Sequence, residues 1–319
     1  MKSLTQLVHR WGNASSEALL ESHSDLFRTP GIDGVIGYRL HSNYAVTFGD
    51  PICPIADAPQ LATAFHKFCQ EKNLNIIYII TSEKFANWAI QNQCRVLIEI
   101  GEEIIFDPQQ DLTDGHKGRK LRNYLSHASH MGLQFHEYLG HDEHLEHSIG
   151  QVGKVWLKSR SGPQIYLGDL EFFEDRTDKR WFYIRQDEKM MGMALMSKLE
   201  SQSGWFLKYL ISVPEAPRGT SELMVKSILE ILRNENCRFL TYGMIPGKNL
   251  GEIVGLSKFS TYMARLGYNL SKWYFHLDQR KTFWQKFRPK TERSFMLLST
   301  ETIGFQEIRA IVKSFKMDI

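Results

Sequence analysis

The chain has 319 residues, of which 42% are hydrophobic, 24% charged and 12% aromatic. This length exceeds one ordinary domain and suits two of middle size, each with enough bulky apolar area for a core. The composition excludes collagenous, disordered and repeat proteins, and the net charge of +3 excludes a general polycation.

The N-terminal segment lacks the apolar core of a secretory signal, and the longest apolar run, 74–80, is far shorter than the roughly 20 residues of a membrane span. We therefore expect a cytoplasmic protein without a transmembrane segment. The four cysteines form no C-x-x-C pair and lie in apolar surroundings. Buried free thiols are the expected state, and a disulfide is the alternative.

The first half alternates between strand and helix patterns, and the β-branched run at 75–81 is typical of a strand buried on both faces. In chain order we predict strands at 34–40 and 43–51, a helix at 57–71, a strand at 75–81, a helix at 82–92, a strand, turn and strand within 96–107, a basic helix at 118–130 and a strand at 133–138. The polar turn after it predicts a boundary between an N-terminal domain, 1–139, and a C-terminal domain, 140–319.

The second half repeats this style. We predict a helix at 142–159, strands at 180–186, 190–200 and 204–213, a helix at 221–234, a strand at 237–244, a helix at 251–266, a strand at 268–277, a basic stretch at 280–293 and an amphipathic helix at 300–315. The three consecutive strands are close enough for an antiparallel meander. Two copies of one mixed α/β domain are the economical architecture.

The turn from strand to helix at 213–223 is the first candidate binding site. A glycine loop ahead of a helix presents unpaired N–H groups and the positive end of the helix dipole to phosphate. The candidate phosphate-loop residues are Arg218, Gly219 and Ser221. The loop resembles the coenzyme A loop of GCN5-related acetyltransferases, Gln/Arg-x-x-Gly-x-Gly/Ala, but Ala216 replaces its first residue. An ordinary strand–helix turn is the alternative.

The basic stretch Arg280–Arg293 interleaves six cations with Phe283, Trp284 and Phe287. Cations beside aromatic rings suit a polyanion, such as the acceptor end of a tRNA or a phospholipid headgroup, and a solvated basic face is the alternative. A second basic segment, Lys117–Tyr124, begins a helix, where positive charge opposes the helix dipole. It indicates an anionic partner or a solvent-facing helix.

Other motifs of catalysis are not found. His141, His144 and His147 are spread around a helix instead of forming an i, i+4 pair, so we predict an exposed polar turn and no metal site. The sequence contains no nucleophile elbow, zinc-protease motif, P-loop or Rossmann fingerprint. These absences disfavour hydrolases, zinc proteases and nucleotide-driven enzymes.

Seven short motifs follow one another in a particular order along roughly residues 10 to 300. They are Gly37-Tyr38-Arg39, Phe48-Gly49-Asp50-Pro51, Ile100-Gly101-Glu102-Glu103, Gly118-Arg119-Lys120-Leu121-Arg122-Asn123, Tyr166-Leu167-Gly168, Tyr242-Gly243-Met244-Ile245-Pro246, and Lys286-Phe287-Arg288-Pro289 with Arg293. In this order and at these spacings, the chain resembles the C-terminal catalytic domain of phosphatidylglycerol lysyl- and alanyltransferases. The family also includes uncharacterised soluble bacterial members.

The resemblance implies a mixed α/β fold of two tandem acetyltransferase-like (GNAT) domains, related to the Fem-type peptidyltransferases. It implies transfer of an aminoacyl group from aminoacyl-tRNA to a hydroxyl of an anionic phospholipid at the inner face of the membrane. The tRNA ester is already activated, so neither a metal nor another cofactor is expected, and DNA is not an expected partner. The enzyme must bring two substrates together, help remove the hydroxyl proton and stabilise the oxyanion.

By the same resemblance, Lys286 would contact phosphate or the developing oxyanion, and Glu102 is the second catalytic candidate. The substrate-binding candidates, some of which would shape a tunnel, are Arg122, Tyr242, Gly243, Met244, Pro246, Phe287, Pro289 and Arg293. A tunnel lined by Lys286, Tyr242 and Arg293 would favour transfer between two substrates.

The sequence departs from the lipid aminoacylators in places. They carry Asp-Leu-Met-Arg where this chain has Lys208–Ile211, and Trp284 replaces the first lysine of their F-K-x-K-F-x-P motif. We also expect the chain to act without their multi-helix membrane domain. Two alternatives therefore stay open: a coenzyme A-dependent N-acyltransferase, and a non-catalytic module that binds lipid headgroups or tRNA.

Overall fold

The computed structural model describes residues 3–20, 24–159, 172–275 and 279–315. Two sequence predictions fall partly or wholly outside them: the Tyr166–Gly168 motif, and the last residues of the strand predicted at 268–277. Among the described residues, no helix combines the length and the apolar character that are needed to cross a bilayer.

The helices and strands alternate along the chain. The described α-helices are α1 (Leu4–Trp11), α2 (Ala58–Glu71), α3 (Glu83–Asn92), α4 (Arg119–His130), α5 (Glu143–Lys158), α6 (Thr220–Asn234), α7 (Lys258–Phe275), α8 (Gln279–Trp284) and α9 (Phe305–Ser314). The described strands are β1 (Asp25–Phe27), β2 (Ile36–His41), β3 (Tyr44–Phe48), β4 (Asn75–Ser82), β5 (Val96–Phe106), β6 (Leu133–Tyr138), β7 (Lys179–Gln186), β8 (Lys189–Leu199), β9 (Gly204–Ser212), β10 (Leu240–Pro246), β11 (Ile253–Val254) and β12 (Lys290–Leu298). Short 3₁₀ helices occur at Ala14–Leu19, Glu200–Gln202 and Gln285–Phe287.

The described strands form one mixed sheet in the order β1-β2-β3-β4-β12-β5-β10-β9-β8-β7-β6, and β11 pairs with β5. The predicted mixed α/β fold is confirmed, as is the antiparallel meander of β7, β8 and β9. The final strand, β12, lies between β4 and β5, and β5 joins the two halves by pairing also with β10. The boundary after residue 139 stays a prediction; β6, just before it, pairs with β7.

The central strands are buried as their composition predicts. The β-branched strand β4 lies between β3 and β12, and four of its consecutive residues, 76–79, are buried. Ser82 ends this strand and caps α3, because its hydroxyl accepts a hydrogen bond from the N–H of Phe85. The four cysteines are free, and burial raises the pKa of the thiols of Cys53, Cys69 and Cys94 to about 12.

The turn that we predicted within 96–107 is wrong, because β5 is one continuous strand. Gly101 lies inside it, next to β10, where an added Cβ would collide with the carbonyl oxygen of Ile245. The glycine therefore permits a close approach of two strand backbones and does not reverse the chain.

The bounds and types predicted for 251–266 and 268–277 are also wrong. Residues 253–254 form β11, and α7 continues through most of the segment predicted as a strand. Gly255 has φ +86°, and a Cβ there would collide with the carbonyl oxygen of Arg95, so this glycine lets the chain cross close to β5 before the helix begins. The aromatic run that follows has strand propensity, but as part of a long segment without proline it continues the helix.

Candidate functional site

A gap opens in the sheet where β9 and β10 diverge. These parallel neighbours pair only at two positions, through Leu240 and Thr241 of β10. Each strand also carries a bulge just beyond the pairing, at Lys208 in β9 and at Tyr242 in β10. These bulges lie in the ladders to β8 and β5, and because bulges re-aim side chains, they interrupt the regular alternation of β9 and β10 beside the gap.

The predicted phosphate loop joins the end of β9 to α6, and α4 packs against it. Gly219 has φ +99°, and an added Cβ would collide with the carbonyl oxygen of Tyr124 in α4. The guanidinium of Arg218 lies over the Tyr124 ring, 4.4 Å from its centroid. The hydroxyls of Ser221 and Ser212 are 2.9 Å apart. The structure thus brings the loop together with the predicted basic helix, and the backbone of that helix fills the space beside Gly219.

Replacing Gly219 by alanine is expected to lower the free energy of unfolding by about 2 kcal/mol, because alanine suits neither the positive φ nor the contact with α4. Urea denaturation would measure the loss. Gly132 also has positive φ, +70°, but open space around its α-carbon, so Gly132→Ala isolates the backbone cost. Equal losses in the two variants would contradict the close packing of α4 on the loop.

Lys286 lies in a cradle formed by α4 and α6. Its Nζ donates a hydrogen bond to Glu222 in the first turn of α6, and their side chains are only 11% and 6% exposed. The ammonium group lies 4.4 Å from the ring centroid of Tyr124 and 4.6 Å from that of Phe283. A desolvated cation fixed in this way can stabilise negative charge without reorganising. Lys286 was predicted from the sequence, but Glu222 was not. The feature that could have indicated Glu222 is an acidic residue three positions after the loop glycine, Gly219.

The cation at position 208, which replaces the acid expected from the resemblance, also has an acidic partner. Lys208 Nζ lies 3.2 Å from Glu17 Oε2, and both side chains are nearly buried. Glu17 belongs to the 3₁₀ helix at Ala14–Leu19 and is also 3.9 Å from His9 Nε2. Ser197 Oγ donates to the same carboxylate at 3.4 Å. Sequence reasoning missed this cluster because its members are distant in the chain.

The aromatic residues of the basic stretch belong to the core. Trp284 and Phe287 are buried, with ring centroids 5.6 and 6.2 Å from that of Phe106. The ring of Tyr242 packs against that of Trp284 at a tilt of 44°, with the centroids 4.2 Å apart. These rings therefore anchor the stretch to the sheet, and neither Trp284 nor Phe287 offers a face on which a base could stack. Pro289 is half-buried beside them.

Two cavities lie beside β5. Adjacent residues of a strand point to opposite faces of a sheet, so Glu102 enters one cavity and Glu103 the other. The smaller, of about 220 Å³, is lined by Glu102, Lys281 and Arg293 among others. Burial alone would raise the pKa of Glu102, but hydrogen bonds from Lys281 and Thr291 hold it below its ordinary value. Arg293 lies near three carboxylates: that of Glu99, which also lines this cavity, and those of Glu83 and Glu252.

The larger cavity, of about 560 Å³, lies between the 3₁₀ helix at Ala14–Leu19, the start of α3 and the start of β12. Glu103 and Glu292 face each other across β5 and β12 at its wall. The hydroxyl of Thr241 donates to Glu103 at 2.7 Å. Burial nevertheless raises the pKa of Glu103, and the carboxylates of Glu292 and Asp50 raise it further.

The raised pKa of Glu103 makes a prediction about stability and pH. The folded chain holds the Glu103 proton more tightly than the unfolded chain, so ionisation destabilises the fold as pH rises through the folded-state pKa. Glu103→Gln retains the acceptor for Thr241 and should raise the melting temperature at pH 8, with a gain that shrinks as pH falls. A gain that grows on acidification, in thermal unfolding scans, would contradict the raised pKa.

The remaining predicted residues are placed as follows. Arg122 donates to the carbonyl oxygens of Thr113 and Gly115, so it fastens the loop ahead of α4. Gly243 has φ +81° at the β10 bulge, Met244 lines the larger cavity and Pro246 pairs with Gly101. The exposed histidines at 141, 144 and 147 lie at the start of α5 as predicted. Neither of these two cavities is lined by Lys286 or Tyr242, and the tunnel stays a prediction.

Solved structures share this arrangement over nearly the whole chain. A domain described as the C-terminal part of a lysylphosphatidylglycerol synthetase from Agrobacterium fabrum matches with a TM-score of 0.77 and 19% identity, covering 97% of this chain and 93% of that one. The structure of L-PGS from Bacillus licheniformis also has a TM-score of 0.77, with 17% identity and coverage of 98% and 95%. At these identities the similarity shows a common fold.

Sequence comparison gives the family. A phosphatidylglycerol lysyltransferase of Staphylococcus xylosus is 22% identical over 307 residues, which are 90% of this chain and 34% of that protein, so the chain spans about a third of this relative. The pattern of the family described as phosphatidylglycerol lysyltransferase, C-terminal, matches residues 5–298. The resemblance inferred from the motifs is therefore confirmed: this chain belongs to the family of phosphatidylglycerol lysyltransferase C-terminal domains.

Proposed function

We propose that this chain transfers an aminoacyl group from aminoacyl-tRNA to a hydroxyl of a phosphatidylglycerol-like lipid at the cytoplasmic face of the membrane. Membership of the family supports this class of reaction. The structural observation that carries the proposal is the desolvated Lys286, held by Glu222 at the start of α6. In this place a cation can stabilise a tetrahedral oxyanion.

The chemistry requires no cofactor in this proposal. The lipid hydroxyl attacks the ester carbonyl, a new carbon–oxygen bond forms, and the bond to the tRNA ribose oxygen breaks. The hydroxyl proton passes to the ribose oxygen, which leaves as a hydroxyl. Lys286 stabilises the negative charge on the carbonyl oxygen, and Glu222 fixes the direction of the ammonium group.

Two features bear on the alternatives. A coenzyme A-dependent reaction is disfavoured because Ala216 stands where the coenzyme A loop of GCN5-related acetyltransferases carries Gln or Arg. A non-catalytic binding module is favoured by a different observation: Lys286 and Arg293 are both already paired with acids of the same chain. The two remaining hypotheses differ in whether chemistry occurs at Lys286.

The test is direct. The protein is incubated with labelled aminoacyl-tRNAs, one amino acid at a time, and with vesicles that contain phosphatidylglycerol. We expect label to enter the lipid extract with at least one amino acid. No transfer with any of them would overturn the proposal, and lipid or tRNA binding without transfer would support the binding module. Heat release on titration with acetyl- or long-chain acyl-coenzyme A would support the other alternative.

A further inference from the structure

An apolar stripe runs along the outside of α7. Phe259, Tyr262, Met263 and Leu266 follow the i, i+3, i+4, i+7 spacing of one helix face. All four are exposed, Phe259 by 74% and Tyr262 by 64%. None of residues 258–269 is buried. Large apolar side chains gathered on one exposed face usually mark an interaction surface.

The orientation of α7 is set by its opposite side. The hydroxyl of Tyr268 donates to the carbonyl oxygens of Ile100 and Gly247, each at 2.9 Å. Ala264 and Tyr268 also pack against the core. At about 100° per residue, Tyr268 lies about half a turn of the helix away from Phe259. The side that carries Tyr268 therefore faces the protein, and the stripe points away from it.

The charges of α7 distinguish between possible occupants. From Lys258 to Phe275 the helix contains three cations and no acid. Lys258 and Arg265 are exposed and lie about 100° to one side of the stripe. Packing against a second copy of this helix would bring like charges together without a compensating acid. An anionic lipid surface would accept the apolar side chains and neutralise the cations at once.

We propose that α7 docks on the surface of an anionic bilayer. The helix would lie in the plane of the interface with its stripe inserted among the headgroups. Gly247, which Tyr268 holds, lines the smaller cavity together with Lys248 and Lys281, so docking would keep this cavity near the lipid headgroups. The surface deepens the proposed function, because it explains how the chain would reach a lipid acceptor, but the binding does not itself require transfer.

Vesicle flotation tests the docking. Wild-type protein should bind vesicles of phosphatidylcholine mixed with phosphatidylglycerol more strongly than phosphatidylcholine alone. Phe259→Ser/Met263→Ser should reduce the binding at least tenfold. Lys258→Gln/Arg265→Gln should reduce it about 25-fold on the mixed vesicles, at about fivefold per charge, and little on neutral ones. The matched control is Ile55→Ser/Leu139→Ser, which removes two exposed apolar side chains elsewhere and should bind as wild type.

Unchanged flotation of the Phe259→Ser/Met263→Ser variant would overturn the inference. If analytical ultracentrifugation also showed an oligomer that this variant dissociates, the occupant of the stripe would be a second copy of the chain.

Transfer assays separate this inference from the proposed function. The Phe259→Ser/Met263→Ser variant should match wild type on monomeric short-chain phosphatidylglycerol and lose transfer to vesicles. Transfer to vesicles that the variant leaves unchanged would reject the docking and keep the function. Flotation as expected, with no transfer to any acceptor, would reject the function and keep the docking.

Discussion

Replacing Lys286 by methionine should lower aminoacyl transfer at least 100-fold. Removal of one preorganised group that stabilises an oxyanion typically costs a factor of 10²–10³ in rate. The substitution retains the apolar stem against Tyr124 and Phe283 and removes only the charge. The measurement is the initial rate of label transfer to lipid. Lys189→Met, at the exposed first residue of β8, is the control and should transfer as wild type.

Lys286→Met should also lower the stability of the fold, and a second variant separates the effect on stability from the effect on transfer. Without Lys286, the nearly buried carboxylate of Glu222 loses its cation, at a cost of about 3 kcal/mol. Glu222→Gln/Lys286→Met removes both charges and should recover most of the stability while transfer stays lost. Recovery of transfer together with stability would show that Lys286 has only a structural role, and full activity of Lys286→Met would exclude it from the chemistry.

The second large effect is expected at Lys208. Its replacement by methionine leaves Glu17 buried with His9, 3.9 Å away, as the nearest remaining base, and should lower the free energy of unfolding by about 3 kcal/mol in urea denaturation. Lys208→Asp restores the acid that lipid aminoacylators carry at this position. In this chain it would place two carboxylates together and should be more destabilising still.

Matched changes test whether the pair is responsible. The double variant Glu17→Gln/Lys208→Met should be more stable than Lys208→Met alone, because no buried charge is left without a partner. If the loss of unfolding free energy in the double variant equalled the sum of the losses in the two single variants, Glu17 and Lys208 would not stabilise each other. The departure at position 208 would then have no compensation in the 3₁₀ helix at Ala14–Leu19.

Helices and strands could be predicted where the hydrophobic pattern of the local sequence agrees with the burial of the element in the fold. The β-branched strand β4 and the helix α6 after Gly219 follow directly from their sequences. The errors occur where the identity of a residue is determined by a contact with a part of the chain that is distant in sequence. Gly101 resembles a turn residue in isolation, but the reason for it is the backbone of β10, and the partner strand of a glycine cannot be inferred from the glycine itself.

The cations of the candidate site could be predicted from the sequence, but most of the carboxylates that pair with them could not. Lys286 and Arg293 stand out in a basic segment, whereas Glu222 and Glu83 come from α6 and α3 and Glu252 from the segment before β11. For the aromatic residues of the basic stretch the prediction was too generous, since it placed buried core residues on a binding surface. Trp284 and Phe287 alternate with cations as in a polyanion-binding surface, yet the sheet buries them, because burial depends on the tertiary contact with Phe106.

The position of β12 has a consequence for how the protein is made. This strand fills the space between β4 and β5, although it comes almost two hundred residues after them in the chain. While the ribosome is still adding the second half, β4 and β5 have no partner on the sides that β12 will cover. Such open edges attract other chains, and pairing across so long a loop is slow. The nascent protein must therefore keep these two edges apart from other strands until β12 has left the ribosome.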